Sequence, residues 1–228
     1  MKKTVLFLVV AALIGFAIFQ SVSANKTAAK GVLPADASGA SDLGVAKVVN
    51  GVVPSTPSVV SSGPEFLVAD FNSGDKPNNV GGDFGTWDKD PNDDSQSCKM
   101  QFAEVDAVAA DGFSLRLDYD VDSPQPAYNG FWMRLGEKDY SSYQNINLFL
   151  KGEGTFPQRI KIELKDATKR SARSFVTGVS DDWQKLTIPL ARFKNLDLKG
   201  LSEFVLVFDD VNSNPKSGTV YLDQVTFS

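Results

Sequence analysis

The chain has 228 residues, of which 42% are hydrophobic, and a formal net charge of −5. This length allows one or two globular domains, and the negative charge gives no general attraction for nucleic acid or anionic lipid. The absence of histidine excludes Ser-His-Asp and Cys-His catalytic pairs and the commonest zinc ligand, and the single cysteine, Cys98, excludes an internal disulfide.

Residues 1–24 have the pattern of a secretory signal peptide. Two lysines precede an apolar run from Val5 to Phe19, and small residues mark a cleavage site before Asn25. Because a membrane-spanning helix needs about 20 apolar residues, this shorter run favours a cleaved signal over a permanent anchor. The sequence therefore predicts an exported protein that is periplasmic, cell-surface or extracellular. An uncleaved N-terminal membrane anchor is the alternative, since no strong polar residue breaks the second half of the run.

Residues 25–64 are predicted to form a linker. They are rich in Ala, Ser, Gly, Val, Thr and Pro and contain no aromatic residue, a composition typical of flexible or semi-extended segments. Two interpretations stay open: a stalk that spaces a domain from a membrane or partner, and a tail without a function of its own.

Residues 65–228 are predicted to form one all-β domain. Short segments of alternating polarity recur between turn-rich stretches, and one short helical turn is expected at 189–193. Many strands without intervening helices indicate an antiparallel β-sandwich, or jelly roll. The ten predicted strands lie near residues 66–71, 98–103, 113–119, 130–135, 145–151, 159–165, 172–177, 184–189, 203–209 and 219–227.

The two faces of the predicted strands differ in chemistry. One face is uniformly apolar, as in Phe131, Met133 and Leu135, and is expected to form the core. The other face mixes aromatic with charged side chains, which suits sugars, because their C–H faces stack on planar rings and their hydroxyls need fixed donors and acceptors. The predicted ligand-binding residues are Tyr128, Trp132, Arg134, Arg116, Asp118, Lys161, Glu163, Arg173 and Phe175.

Acidic residues interrupt apolar faces of the first and last predicted strands. Simple alternation places Asp223 on one face with Val225 and Phe227, and places Asp70 and Asn72 on one face of the first strand. A buried carboxylate without a partner is costly, and calcium prefers carboxylate, amide and backbone oxygens. The sequence therefore predicts a structural Ca²⁺ site formed by Asp70, Asn72 and Asp223.

Five motifs carry a resemblance to a known family. They are the stretches Val68–Gly74, Gly85–Trp87, Gly130–Trp132, Trp183–Leu190 and Val220–Val225, in that order. Together they resemble the galactose-binding-like jelly-roll domains, and among these the chain is most similar to carbohydrate-binding modules of family 11. The W-x-x-L-x-I-P-L pattern of the fourth motif is also similar to the complex-I intermediate-associated family.

The resemblance implies a non-catalytic module that binds β-glucan chains across a concave sheet and holds a structural calcium near its chain ends. It also implies association with a cellulase, another glucanase or a related glycan-active enzyme. Two other functions stay open: an envelope module that binds a protein partner through the same face, and, more remotely, a glycoside hydrolase. A hydrolase needs two carboxylates about 5–10 Å apart across the substrate, and Asp118 and Glu163 are the pair that strand alternation offers.

Overall fold

Strands make up nearly all the regular structure of the computed structural model, which describes residues 65–104, 107–109 and 112–228. The predicted signal peptide and linker lie outside these residues. Within them, no helix has the length and apolarity to cross a membrane. The strands are β1 (Phe66–Ala69), β2 (Phe84–Asp88), β3 (Ser97–Ala103), β4 (Ser114–Asp120), β5 (Tyr128–Lys138), β6 (Asn145–Glu153), β7 (Arg159–Asp166), β8 (Ser171–Thr177), β9 (Gln184–Pro189), β10 (Leu201–Asp209) and β11 (Ser217–Phe227).

The strands form two antiparallel sheets, so the predicted β-sandwich is confirmed. Sheet A has the order β3-β4-β11-β6-β9, with β1 also paired to β11. Sheet B has the order β2-β5-β10-β7-β8. Two short 3-10 helices, Leu190–Arg192 and Leu198–Gly200, are the helical elements of the described residues, and the first lies inside the predicted helical turn.

The core lies between the two sheets and contains the predicted apolar face. Each fully buried aliphatic or aromatic side chain stabilises the fold by about 1.5–3 kcal/mol. Tyr119 of sheet A stacks on Phe208 of sheet B with ring centroids 4.0 Å apart, which joins the sheets at one end of the core. The predicted core residues with no exposed surface include Phe131, Met133, Leu135, Ile146, Leu148, Leu150, Ile160, Ile162, Leu164, Phe204, Leu206 and Phe208.

Strand β2 is not among the predicted strands, and it lies in a segment rich in glycine and aspartate. It pairs with β5, with Phe84 opposite Met133 and Trp87 opposite Gly130. Phe84 is fully buried among other aromatic rings. A single buried phenylalanine therefore anchors a strand whose remaining residues have weak strand signals.

Gly130 marks a close approach between β5 and β10. A Cβ at this position would lie 2.0 Å from the carbonyl oxygen of Leu206. We expect Gly130→Ala to force the strands apart and to lower the free energy of unfolding by about 1–3 kcal/mol, measured by urea denaturation. Gly200→Ala is the control, because its Cβ would meet nothing closer than 3.5 Å. Equal midpoints for both variants would contradict the prediction.

Candidate functional site

The outer face of sheet B contains a cleft of about 420 Å³. It crosses four neighbouring strands, β2, β5, β10 and β7, so a ligand that filled it would lie across the strands. The residues that line the cleft are Trp87, Tyr128, Trp132, Arg134, Lys161, Glu163, Lys165, Glu203, Val205 and Val207.

Strand register determines which side chains meet in the cleft. Val205 of the central strand β10 lies opposite Trp132 of β5 and opposite Glu163 of β7. Two residues earlier on β10, Glu203 lies opposite Arg134 of β5 and opposite Lys165 of β7. Because side chains alternate along each strand, the cleft has an apolar floor with an aromatic side toward β5 and a charged side toward β7.

The aromatic side of the cleft consists of Trp87, Tyr128 and Trp132. Tyr128 is exposed, and both tryptophans are half-buried. The rings of Trp87 and Tyr128 meet edge to face with centroids 5.8 Å apart. The Arg134 guanidinium lies 5.4 Å from the centroid of the Trp132 ring. Gly130 stands opposite Trp87 and places no side chain between that ring and the cleft floor.

Ion pairs hold the charged side of the cleft in place. Glu203, whose side chain is only 10% exposed, forms ion pairs with Arg134 at 3.0 Å and with Lys165 at 2.5 Å. The Lys161 Nζ lies 3.3 Å from Asp209 Oδ2 and 3.8 Å from Glu163 Oε1. Burial raises the pKa of Asp209, but hydrogen bonds from its neighbours and the charge of Lys161 outweigh that effect, and the pKa lies below its ordinary value.

Two further predicted residues extend this face onto the edge strand β8. Phe175 lies opposite Lys161, and Arg173 lies opposite Glu163. The Arg159 guanidinium stacks on Phe175, 3.7 Å from the ring centroid. The structure therefore brings seven of the nine predicted ligand-binding residues onto one face.

Arg116 and Asp118 lie elsewhere, on the outer face of sheet A. Arg116 donates to Asp118 at 2.9 Å, to the Tyr221 hydroxyl at 2.8 Å and to Glu153 at 2.5 Å, so its guanidinium belongs to a polar network within that sheet. The two residues consequently do not share a surface with Trp132. Asp118 and Glu163 lie on different sheets, which contradicts the proposal that they face each other across a substrate.

Sequence reasoning missed five residues of the cleft. Alternation along β10 and β7 was a sufficient signal for four of them, because Glu203, Val205, Val207 and Lys165 all alternate with core residues. For Trp87 the signal was the Gly-Thr-Trp motif, but its place in the cleft depends on the pairing of β2 with β5.

Asp223 is fully buried, for a reason that the alternation pattern does not reveal. The register of β11 against β6 shifts between Asp223 and Thr226, and Gln224 has a positive φ of 44°. This bulge places Asp223 on the outer side of sheet A with Tyr221, while Val225 and Phe227 return to the core. The prediction that Asp223 shares a face with those two residues is therefore wrong, although its burial is real.

The carboxylate of Asp223 has backbone donors but no cationic partner among the described residues. Its two oxygens accept from the N–H groups of Gln224 at 2.7 Å and Val108 at 2.8 Å. Burial raises the pKa of Asp223 to about 6; the two hydrogen bonds oppose this effect, and the charge of nearby Asp70 adds to it. The buried Asp223 carboxylate is thus poorly solvated and within electrostatic reach of Asp70.

Asp70 and Asn72 follow β1 rather than belonging to it, which corrects the predicted common strand face. Asp70 Oδ1 accepts from the Asn72 backbone N–H at 3.2 Å. The Asn72 side-chain oxygen is buried and has no hydrogen-bond partner in the part of the chain that the structure describes. The same residues contain no group of three or more His, Cys, Asp or Glu side chains suited to a metal ion, so a cation here would also need amide or backbone oxygens.

Comparison with known proteins relates this fold to solved carbohydrate-binding modules. No protein-family model and no curated protein matches the chain. The structure is similar to the family 11 module of a cellulosomal cellulase from Clostridium thermocellum, with a TM-score of 0.53 and 17% identity over 73% of this chain and 95% of that chain. The C. thermocellum family 11 module in complex with a β-1,3-1,4-mixed-linked tetrasaccharide gives a TM-score of 0.54 and 17% identity, covering 72% of this chain and 94% of that chain.

A further likeness is to an exo-β-agarase, with a TM-score of 0.51 and 14% identity over 72% of this chain and 24% of that chain. At these identities the comparisons concern the fold. The chain therefore has a jelly-roll fold similar to that of family 11 carbohydrate-binding modules, as the five sequence motifs indicated.

Proposed function

We propose that this protein is a non-catalytic module that binds a polysaccharide chain across the outer face of sheet B. The observation that carries the proposal is the cleft that places Trp132 beside the apolar floor residues Val205 and Val207 and opposite a row of charged side chains. Sugars have apolar C–H faces and a rim of hydroxyls, so a site for them needs stacking surfaces together with fixed hydrogen-bonding groups.

We propose a backbone of the β-glucan type for the ligand. The similar family 11 module was solved with a β-1,3-1,4-mixed-linked tetrasaccharide, and extended β-linked chains suit a cleft that crosses several strands. The N-terminal pattern of residues 1–24 supports an exported protein, and we extend the proposal to a role beside glucan-degrading enzymes outside the cytoplasm.

Affinity electrophoresis of the full chain tests the proposal. We expect retardation in gels that contain at least one soluble polysaccharide among β-glucan, xylan and galactan, relative to a gel without polymer and to a non-binding reference protein. Because the bound fraction follows mass action, retardation should increase with polymer concentration. Unchanged mobility in these three polymers and in acidic polysaccharides such as polygalacturonate would overturn the proposed function.

We also propose that Asp70, Asn72 and Asp223 hold a structural Ca²⁺. The support is chemical: the carboxylates of Asp70 and Asp223 interact electrostatically and lack a cationic partner among the described residues, and the buried oxygen of Asn72 lacks a donor. A hard cation that prefers oxygen ligands would supply the positive charge that the carboxylates lack and would also bind the Asn72 oxygen. When bound, the ion would join the ends of β1 and β11 and so stabilise the scaffold that carries the cleft.

A further inference from the structure

The outer face of sheet B is cationic, although the chain as a whole is acidic. Its strands place five basic side chains on this face. Lys89 adds a sixth, because its Nζ lies 5.4 Å from the centroid of the Tyr128 ring. Three carboxylates, those of Glu163, Glu203 and Asp209, lie among them. The five basic residues of the strands are Arg134, Arg159, Lys161, Lys165 and Arg173.

The three carboxylates do not neutralise this charge. Glu203 pairs with both Arg134 and Lys165. Asp209 and Glu163 both lie near Lys161, and Glu163 also lies opposite Arg173. Arg159 and Arg173 are exposed and form no ion pair with any described residue. Basic side chains therefore outnumber carboxylates at two places, beside Trp132 and along the edge formed by β7 and β8.

Arg159 and Arg173 are suited to bind anions. A guanidinium binds carboxylate or sulfate oxygens through paired N–H donors, and such charge-assisted bonds are stronger than those to neutral hydroxyls. Stacking on Phe175 limits the motion of the Arg159 guanidinium and leaves its edge available to a ligand. A neutral glycan would use the aromatic side of the cleft but would offer these cations only hydroxyls.

We propose that the polysaccharide bound by this protein carries anionic groups, either carboxylates or sulfates. Its sugar rings stack against Trp132 and the cleft floor, and its anionic substituents pair with Arg159 and Arg173 at the β8 edge and with the Arg134–Lys165 pair. The inference rests on the proposed function and adds the chemical class of the ligand. It departs from the neutral β-glucan that the resemblance implies.

Three cellulose derivatives with one backbone test the inference. They are hydroxyethyl cellulose, which is neutral, carboxymethyl cellulose and cellulose sulfate. We expect the full chain to bind one or both anionic polymers about tenfold more tightly than the neutral one at low ionic strength, the amount that two exposed ion pairs supply. In about 1 M salt, where the Debye length falls to about 3 Å, the preference should shrink. The ratio between the two anionic polymers distinguishes carboxylate from sulfate.

Matched variants assign the preference to the β8 edge. Arg159→Gln combined with Arg173→Gln should weaken binding of the anionic polymer about tenfold and binding of the neutral polymer much less, so that the preference largely disappears. Lys99→Gln combined with Lys185→Gln removes the same charge from the outer face of sheet A and should leave the preference intact. Equal losses in the two double variants would overturn the assignment.

Failure of the inference and failure of the proposed function give different results. Binding of hydroxyethyl cellulose as tight as that of both anionic polymers would overturn the anionic ligand and would support polysaccharide binding. If the chain binds none of the cellulose derivatives, polygalacturonate and dextran sulfate serve as anionic polymers with other backbones. No binding to these five, nor to xylan and galactan, would overturn both.

Discussion

Replacing Trp132 with alanine is expected to weaken polysaccharide binding about 30-fold or more. Trp132 lies on the cleft opposite the floor residue Val205, with the Arg134 guanidinium close to its ring. Aromatic anchors at the centre of a binding surface typically contribute at least about 2 kcal/mol, which corresponds to this change in affinity. The measurement is the dissociation constant for whichever soluble polysaccharide retards the wild-type chain.

Trp183→Ala is the matched control for this substitution. Trp183 immediately precedes β9 and meets Tyr221 of sheet A with ring centroids 6.4 Å apart, so its removal deletes the same side chain on the other side of the sandwich. We expect wild-type affinity for this variant. If Trp132→Ala binds as tightly as Trp183→Ala, with both variants folded by their urea midpoints, the cleft of sheet B is not the binding site.

The fold could be predicted because its main signal is local. Alternation with period two decides which side of a strand faces the core, and residues such as Ile160, Ile162 and Leu164 carry that pattern without interruption. The same signal was sufficient for most of the candidate site, since Trp132, Arg134, Lys161 and Glu163 alternate with core residues. The local alternation pattern therefore distinguishes side chains that face the core from those that face outward throughout β5, β6, β7 and β10.

Alternation could not assign an outward residue to one of two sheets. Arg116 and Asp118 point outward, as expected, but β4 pairs with β11 in sheet A while Trp132 belongs to sheet B. Strand pairing depends on contacts between residues far apart in sequence, and a single sequence carries little direct information about such contacts. The same limit explains why Trp87 was missed, because only the pairing of β2 with β5 brings it to the cleft.

A β-bulge limits the period-two rule in a different way. One extra residue near Gln224 reverses the side-chain order of β11, so Asp223 and Val225 lie on opposite sides of sheet A. The sequence prediction of a buried acid at Asp223 rested on an apolar common face, whereas the structure buries it beneath the segment that contains Val108. In either arrangement, the buried Asp223 carboxylate lacks a cationic partner among the described residues.

Removal of calcium is expected to destabilise the protein substantially. If Asp70, Asn72 and Asp223 hold Ca²⁺ in the folded state alone, free calcium at a hundredfold excess over its dissociation constant stabilises the fold by about 2.7 kcal/mol. A chelator should then lower the midpoint of thermal unfolding by roughly 5–10 °C, given about 2–4 °C per kcal/mol for a domain of this size. Calorimetry of calcium-loaded protein, with and without chelator, measures the difference.

Asp223→Ala should abolish most of this chelator response, because it removes a ligand and the buried charge together. Asp166→Asn is the control: Asp166 is also a buried aspartate, but it accepts from Thr168 and Arg170 in the β7–β8 turn. We expect that variant to be less stable than the wild type and yet equally sensitive to chelator. An unchanged midpoint in wild-type protein shown by metal analysis to contain calcium at the start would contradict the calcium site. Asp223 would then be balanced by a proton of its own, which its raised pKa permits in mildly acidic solution.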